Sequence, residues 1–262
     1  MIPKVIHYCW FGRNPLPELA IKCIESWKKY LPEYEIKEWN EDNFDVNMIP
    51  YTKEAYEAKK YAFVSDYARF WILYNCGGLY FDTDVEVIRN IDDLLIHRCF
   101  MGIENSDRNI QVASGLGTGA EKNCEIIREM LQDYEDISFI KSNGEFDITT
   151  CTVRNTNILK KYGYVEKDCN QTIKEVKIFS SEYFSPMNME SGIIKKTKNT
   201  YSIHHYSLSW TSKEHQEERK KAIKAIRRKN YIYNVKVFPN KVCMKLLGKQ
   251  TYQKMKRMLG RK

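Results

Sequence analysis

The segment from Lys53 to Asp84 constrains the fold more than any other. Tyr56, Lys60, Phe63, Tyr67, Phe70, Trp71 and Tyr74 recur at helical spacing, so residues 53–76 read as one long helix with an aromatic face. Gly77-Gly78 stops it, because glycine enters the left-handed backbone region at little cost. Leu79-Tyr80-Phe81 then reads as a short buried strand that runs directly into Asp82-Thr83-Asp84. A helix turning back into an apolar strand whose end carries charge belongs to a layered α/β structure.

The flanking sequence agrees. Pro3–Trp10 is a β-branched and aromatic run ended by Gly12-Arg13-Asn14-Pro15, a first strand. Leu19, Ile21, Cys23, Ile24 and Trp27 mark a helix over 17–30, which Pro32 stops, and Tyr34–Trp39 alternates with period two. Strand, helix, strand in that order predicts a mainly parallel central sheet. Further strands are expected at 85–87, 99–103, 176–179 and 201–205, and helices at 121–134 and 153–162. The stretch 105–120 holds Gly115, Gly117 and Gly119 but no following Lys-Ser/Thr, so it is not a nucleotide P-loop. It reads as a flexible acceptor-side or lid loop, or as a plain surface loop.

Charge divides the chain. Residues 219–262 carry sixteen Lys or Arg and no Asp or Glu, leaving 26 basic and 34 acidic residues before them. The division predicts a domain over 1–211 and a basic helical tail over 212–262, opening on a helix at 212–229. Apolar residues such as Ile223, Ile226, Leu246 and Leu247 interleave the tail cations, which suits a peripheral anchor on an anionic leaflet. A solvated basic surface is the plain alternative. No stretch approaches the ~20 apolar residues of a membrane span, and the N-terminus lacks a secretory pattern. Eight Cys fall without a CxxC pair or zinc-like spacing. Reduced thiols and a cytoplasmic location, peripheral on the inner face of the membrane, are the expectation.

The chemistry concentrates at Asp82-Thr83-Asp84. Two carboxylates two apart in an extended segment point to one side and repel unless a cation lies between or beside them. Hard cations such as Mg²⁺ or Mn²⁺ prefer carboxylate oxygens, and a diphosphate can complete their shell. The apolar approach strand brings these carboxylates out of the core rather than off a polar loop. Asp66 and Arg69, three apart on the preceding helix, share a face flanked by aromatics, where an ion pair is costly without a further partner.

Three segments, Ile6-His7-Tyr8-Cys9-Trp10-Phe11-Gly12, Phe63-Val64-Ser65-Asp66-Tyr67-Ala68-Arg69 and Gly77–Asp84, together resemble the DxD-type sugar-binding region of glycosyltransferase family 32. That family holds yeast-type mannosyltransferases, bacterial capsular-polysaccharide transferases and, more distantly, the glucosylating domains of large clostridial toxins. The resemblance covers roughly residues 1–95. It implies the nucleotide-diphosphosugar transferase fold (GT-A-like) and a donor site. Trp10 would stack on uracil with Cys9 beside it. Ser65, Asp66 and Arg69 would touch ribose, donor sugar and phosphate, Tyr80 and Asp82 the ribose and sugar, and Asp84 the metal. His204-His205-Tyr206-Ser207-Leu208-Ser209-Trp210 resembles a C-terminal motif of capsular members, which implies His204 as a third metal ligand, with His205 as alternate, and Trp210 as an N–H donor to the diphosphate.

The function expected is retaining transfer of a sugar from a UDP-sugar or other nucleoside-diphosphate sugar to an acceptor hydroxyl, with Mn²⁺ or Mg²⁺. The acceptor would be a saccharide or lipid-linked saccharide, in bacterial surface or capsular polysaccharide synthesis. Asp66, Arg69, Asp82 and Trp210 would carry the chemistry. No Asp or Glu stands out as a nucleophile, which fits a front-face displacement assisted by the leaving phosphate. A metal-dependent phosphoesterase or nuclease would need more clustered carboxylates or His near the triplet. A non-catalytic carbohydrate-binding protein would not need the whole set, and nucleic acid is the disfavoured partner.

Overall fold

Alternation along the strands decides which side of the sheet each layer packs against. In the computed structural model, which describes residues 1–208, 211, 213–232, 238–248, 250, 251 and 253, strand β1 (Val5–Cys9) sends Ile6 and Tyr8 to one face and Cys9 to the other. Helix α1 (Glu18–Tyr30) covers the first face with Ile24 and Trp27. Strand β2 (Glu35–Trp39) follows, then helices α2 (Pro50–Glu57) and α3 (Tyr61–Cys76) on the second face. Strands β3 (Gly78–Tyr80), β4 (Val85–Val87), β5 (Cys99–Ile103), β6 (Val112–Ala113) and β7 (Thr118–Ala120) come next. Helices α4 (Glu125–Glu135) and α5 (Cys151–Lys160) join α3, and the unit closes with β8 (Gln171–Ile173), β9 (Val176–Phe179), α6 (Ser181–Phe184) and β10 (Ser202–His204).

The main sheet runs β2-β1-β3-β7-β5-β9-β8, with β6 paired to β5. Parallel pairing of β2, β1 and β3, two antiparallel steps through β7, and parallel pairing of β5 with β9 leave β2, β1, β3, β5 and β9 pointing one way. Among the described strands of that path only β7 and β8 oppose them. The sheet is therefore largely parallel in direction, as the sequence predicts, and β4 and β10 form a separate antiparallel ribbon. Trp27 is fully buried against Phe81, and its indole N–H donates to the Val85 carbonyl at 2.7 Å, which docks the ribbon on α1. Burying a side chain of this size contributes roughly 1.5–3 kcal/mol before entropy is counted.

Two expectations need correction. Residues 53–76 are not one helix: Ala58–Lys60 break it, with Lys59 in the left-handed region at φ 57°. No glycine or proline marks that break. The stretch 105–120 is a surface loop only in its first part: residues 105–111 are irregular with 107–109 exposed, whereas residues 112–120 are buried throughout and β7 lies inside the sheet. Its glycines serve close packing. A Cβ at Gly115 would fall 1.8 Å from Asp82 Oδ2, and one at Gly119 would fall 2.2 Å from the Phe100 ring.

By compactness the chain divides into Met1–Trp210 and Thr211–Lys262. In the second unit, helices α7 (Lys213–Ile232) and α8 (Phe238–Leu247) leave Tyr231, Leu246 and Leu247 exposed. No helix among the described residues is long and apolar enough to cross a membrane.

Candidate active site

Strands that point the same way end at the same edge, and in open α/β sheets that edge collects ligands. Trp10 follows β1, Asp82 lies two residues past β3, and Glu104 follows β5. The two aspartates do not sit in an extended segment as expected. Thr83 and Asp84 form a turn, closed by the Val85 N–H donating to the Asp82 carbonyl at 3.1 Å, while the Asp82 N–H donates to the Gly115 carbonyl at 2.9 Å. The turn still brings the carboxylates together, and β10 adds a third group. His204 pairs opposite Val85, so that Asp82, Asp84 and His204 place ligand atoms within 4.8 Å of one another.

Electrostatics inside this group are closely balanced. Asp84 is 8% exposed, and burial opposes its charge. The His204 imidazole, with Nε2 at 3.1 Å, and the Ser207 N–H, donating at 2.7 Å, outweigh burial and hold its carboxyl well below the usual carboxylate range. Burial likewise opposes charge on His204, but Asp84 wins and raises the imidazole pKa. The pair that shares a proton in this way can share a cation. Two carboxylates and one imidazole form a donor set that suits Mn²⁺ better than Mg²⁺, which seldom takes nitrogen. His204 Nδ1 is buried without a hydrogen-bond partner. His205 points elsewhere, to Glu86 at 2.8 Å, so it is not part of this group.

Arg69 is 4% exposed and sits among partners on every side. It contacts Asp66 at 3.0 Å and Asp82 at 3.2 Å, donates to the Ser114 hydroxyl, the Cys151 thiol and the Ser65 carbonyl, each at 3.2 Å, and lies over the Tyr80 ring. Asp66 is pushed up to about 6 by burial, against the pull of Arg69 and with help from Asp82. A cleft of about 320 Å³ runs alongside. Cys9, Trp10, Ser65, Arg69, Tyr80, Asp82, Asp84 and His204 line it, whereas Asp66 opens onto an adjoining cavity. The Trp10 indole N–H donates to the Asn14 carbonyl at 2.6 Å, leaving its ring at the cleft wall. Trp210 lies outside the described residues.

Several residues here gave no signal in sequence. Ser114 and Cys151 are far from Arg69 along the chain. Ser207 reaches Asp84 because Tyr206 and Leu208, on either side of it, both adopt φ 51°, a costly conformation for bulky residues that is stored at the site itself. Glu104 could have been found as an acidic residue directly after a predicted strand, the same logic that picked out Asp82.

Comparison with known proteins falls on part of this site, taking in Ser65, Asp66, Arg69, Tyr80, Asp82 and Asp84 but not Trp10 or His204. Residues 17–101 match the family described as "Glycosyltransferase sugar-binding region containing DXD motif". Inositol phosphoceramide mannosyltransferase 3 of Schizosaccharomyces pombe is 34% identical over 98 residues, which are 36% of this chain and 27% of that protein. The chain thus spans about a quarter of that relative's length. A glycosyltransferase of Acanthamoeba polyphaga mimivirus is 26% identical over 72% of this chain and 75% of its own. Among solved structures, a glycosyltransferase involved in glycosylation of the major capsid of PBCV-1 is 11% identical with a TM-score of 0.49, covering 85% of this chain and 100% of that one. The Asp82-Thr83-Asp84 triplet falls within the segment that matches the glycosyltransferase sugar-binding region containing a DXD motif.

Proposed function

We propose that this chain is a metal-dependent, retaining glycosyltransferase that moves a hexosyl group from a nucleoside-diphosphate sugar to an acceptor hydroxyl. The observation that carries the reading is the convergence of Asp82, Asp84 and His204 on one wall of a cleft whose other walls hold Trp10 and Arg69. Trp10 offers a face for a nucleobase, which favours UDP on the family resemblance. The mannosyltransferase relatives bring a mannosyl donor into the test panel. Asp82, Asp84 and His204 would hold Mn²⁺, and a bound divalent cation supplies Lewis-acid stabilisation of the charge that develops on a departing diphosphate. Arg69 adds a fixed positive charge next to that position, and its partners Asp66 and Asp82 keep it from moving. Asp66 and Asp82 can also accept hydrogen bonds from sugar hydroxyls.

An acceptor on a membrane surface suits the basic unit at 211–262, which we propose as a peripheral anchor on the inner leaflet, with lipid-linked saccharides such as capsular intermediates within reach. The deciding experiment titrates UDP and GDP into the protein with Mn²⁺, Mg²⁺ or chelator, then screens nucleotide-sugars for slow hydrolysis. Nucleotide binding that needs the cation, lost in Asp84→Ala, supports the proposal. Tight binding or turnover in excess chelator would overturn it.

A further inference from the structure

A second cavity of about 190 Å³, monosaccharide-sized, adjoins the cleft. Arg69, Asp82, His204 and Tyr206 line both spaces, so the two meet at the proposed metal ligands. Asp66, Gly115 and Cys151 form part of the second cavity, and Glu104 completes its wall.

Glu104 differs from every other acidic group nearby. Asp66 and Asp82 are paired with Arg69, and Asp84 is held by His204 and Ser207. The Glu104 backbone N–H is used by the Gln111 carbonyl at 2.8 Å, yet its half-buried carboxylate has no hydrogen-bond donor and no ion-pair partner among the described residues. Burial disfavours its charge, and the nearby His204 offsets this only in part, so its pKa is raised. A partly desolvated carboxylate favours a hydrogen-bond donor, and in a cavity of this size a ligand hydroxyl can supply one. It stands at the strand edge that also delivers Trp10 and Asp82.

Position selects the ligand group. The Asp66 and Asp82 side of the cavity is the one assigned above to the donor sugar. Glu104 and His204 line the same cavity, and His204 also lines the cleft, so this cavity opens beside the proposed diphosphate position. In a retaining displacement the incoming hydroxyl approaches on that same side. Resting on the donor-site reading above, we propose that Glu104 accepts a hydrogen bond from the nucleophilic hydroxyl of the acceptor and that the second cavity is where this hydroxyl meets the anomeric carbon. In the step, the bond from the anomeric carbon to the phosphate oxygen breaks and its electron pair leaves with the diphosphate. The bond from the acceptor oxygen to that carbon forms, and the hydroxyl proton passes to the departing phosphate oxygen. Glu104 orients the hydroxyl and is unchanged.

The test uses the full chain with Mn²⁺, UDP and GDP as binding probes, and the nucleotide-sugar that wild type hydrolyses, with water standing in for the acceptor. Glu104→Leu should lower the hydrolytic kcat roughly 10- to 100-fold, the loss of one charge-assisted hydrogen bond, while Mn²⁺-dependent nucleotide affinity and donor KM stay within about twofold. Glu104→Gln, which keeps the shape and a weaker acceptor, should fall between and guards against misfolding of the Leu variant. Wild-type kcat in the Gln and Leu variants would overturn the proposal. So would a loss confined to donor KM, which would place Glu104 on the donor sugar. Failure of wild type to bind either nucleotide with Mn²⁺ would be a different result, overturning the donor-site reading itself.

Discussion

Gly115→Ala should disable the proposed metal site without touching a ligand. Gly115 does not adopt positive φ, so alanine suits the backbone and in isolation should stabilise slightly. The new methyl would instead fall 1.8 Å from Asp82 Oδ2 and 2.6 Å from its Cγ. Carbon and oxygen do not approach within 3.0 Å in such contacts, so the carboxylate must retreat by at least about 1.2 Å. Asp82 is tethered to Arg69 at 3.2 Å and by its own N–H to Gly115, so it cannot retreat without breaking one of these links. Overpacking of this kind costs on the order of 1–3 kcal/mol. Displacing one ligand should weaken Mn²⁺ binding roughly 10–100-fold, the size of effect seen when a ligand loses its orientation. The assay is a cycle: Mn²⁺ titration and thermal unfolding for wild type, Gly115→Ala, Asp82→Ala and the double variant. Once Asp82 is truncated the clash is gone, so Gly115→Ala should cost almost nothing further in that background. Additive losses, or a single Gly115→Ala variant with wild-type Mn²⁺ affinity, would refute the reasoning.

His204→Ala should lower Mn²⁺ affinity at least tenfold, whereas His205→Ala, which removes only the contact to Glu86, should leave it within about twofold; isothermal titration decides, and a reversed order would exchange the two histidines. Asp66 is raised from 3.8 to about 6, so the folded chain binds its proton more tightly than the unfolded one; its contribution to stability is present below about pH 4 and is lost as pH rises through about 6. Urea unfolding from pH 4 to 7 should show a shallower decline in Asp66→Asn than in wild type, and parallel curves would contradict the assignment. Truncation after Trp210 should keep Mn²⁺-dependent nucleotide binding but abolish co-sedimentation with vesicles rich in phosphatidylserine, which in the full chain should fall steeply between 0.1 and 1 M salt as the Debye length drops from roughly 10 to 3 Å. Binding of the truncated chain to such vesicles would count against the anchor.

What could be read in advance was local. The Gly77-Gly78 stop, the apolar run into Asp82 and the i,i+3 spacing of Asp66 and Arg69 are each decided within a few residues, and each is where the sequence placed it. The misreadings involve contacts between distant segments. Gly115, Gly117 and Gly119 look the same in a string whether they make a turn or admit Asp82, Phe81 and Phe100 to close contact. The break at Lys59 carries neither glycine nor proline to announce it. β7, only three residues long, cannot be told from a loop by periodicity, and its pairing with β3 and β5 depends on strands about 40 and 20 residues back, respectively. Ser114 and Cys151 could not be paired with Arg69 without coordinates, because nothing in a hydroxyl or a thiol announces a guanidinium.

The ribbon of β4 and β10 has a consequence for how the chain acquires its site. Two short strands are marginal on their own. Here they join positions some 120 residues apart, and the closing contacts, His205 N–H to the Asp84 carbonyl and Ser207 N–H to its carboxylate, come from the last residues of the unit. During synthesis from the N-terminus, Asp82 and Asp84 therefore wait for about 120 further residues before His204 is made. A cation at this junction would act as a clasp between early and late segments, favouring the closed ribbon in proportion to how much more tightly it binds there than to the open chain.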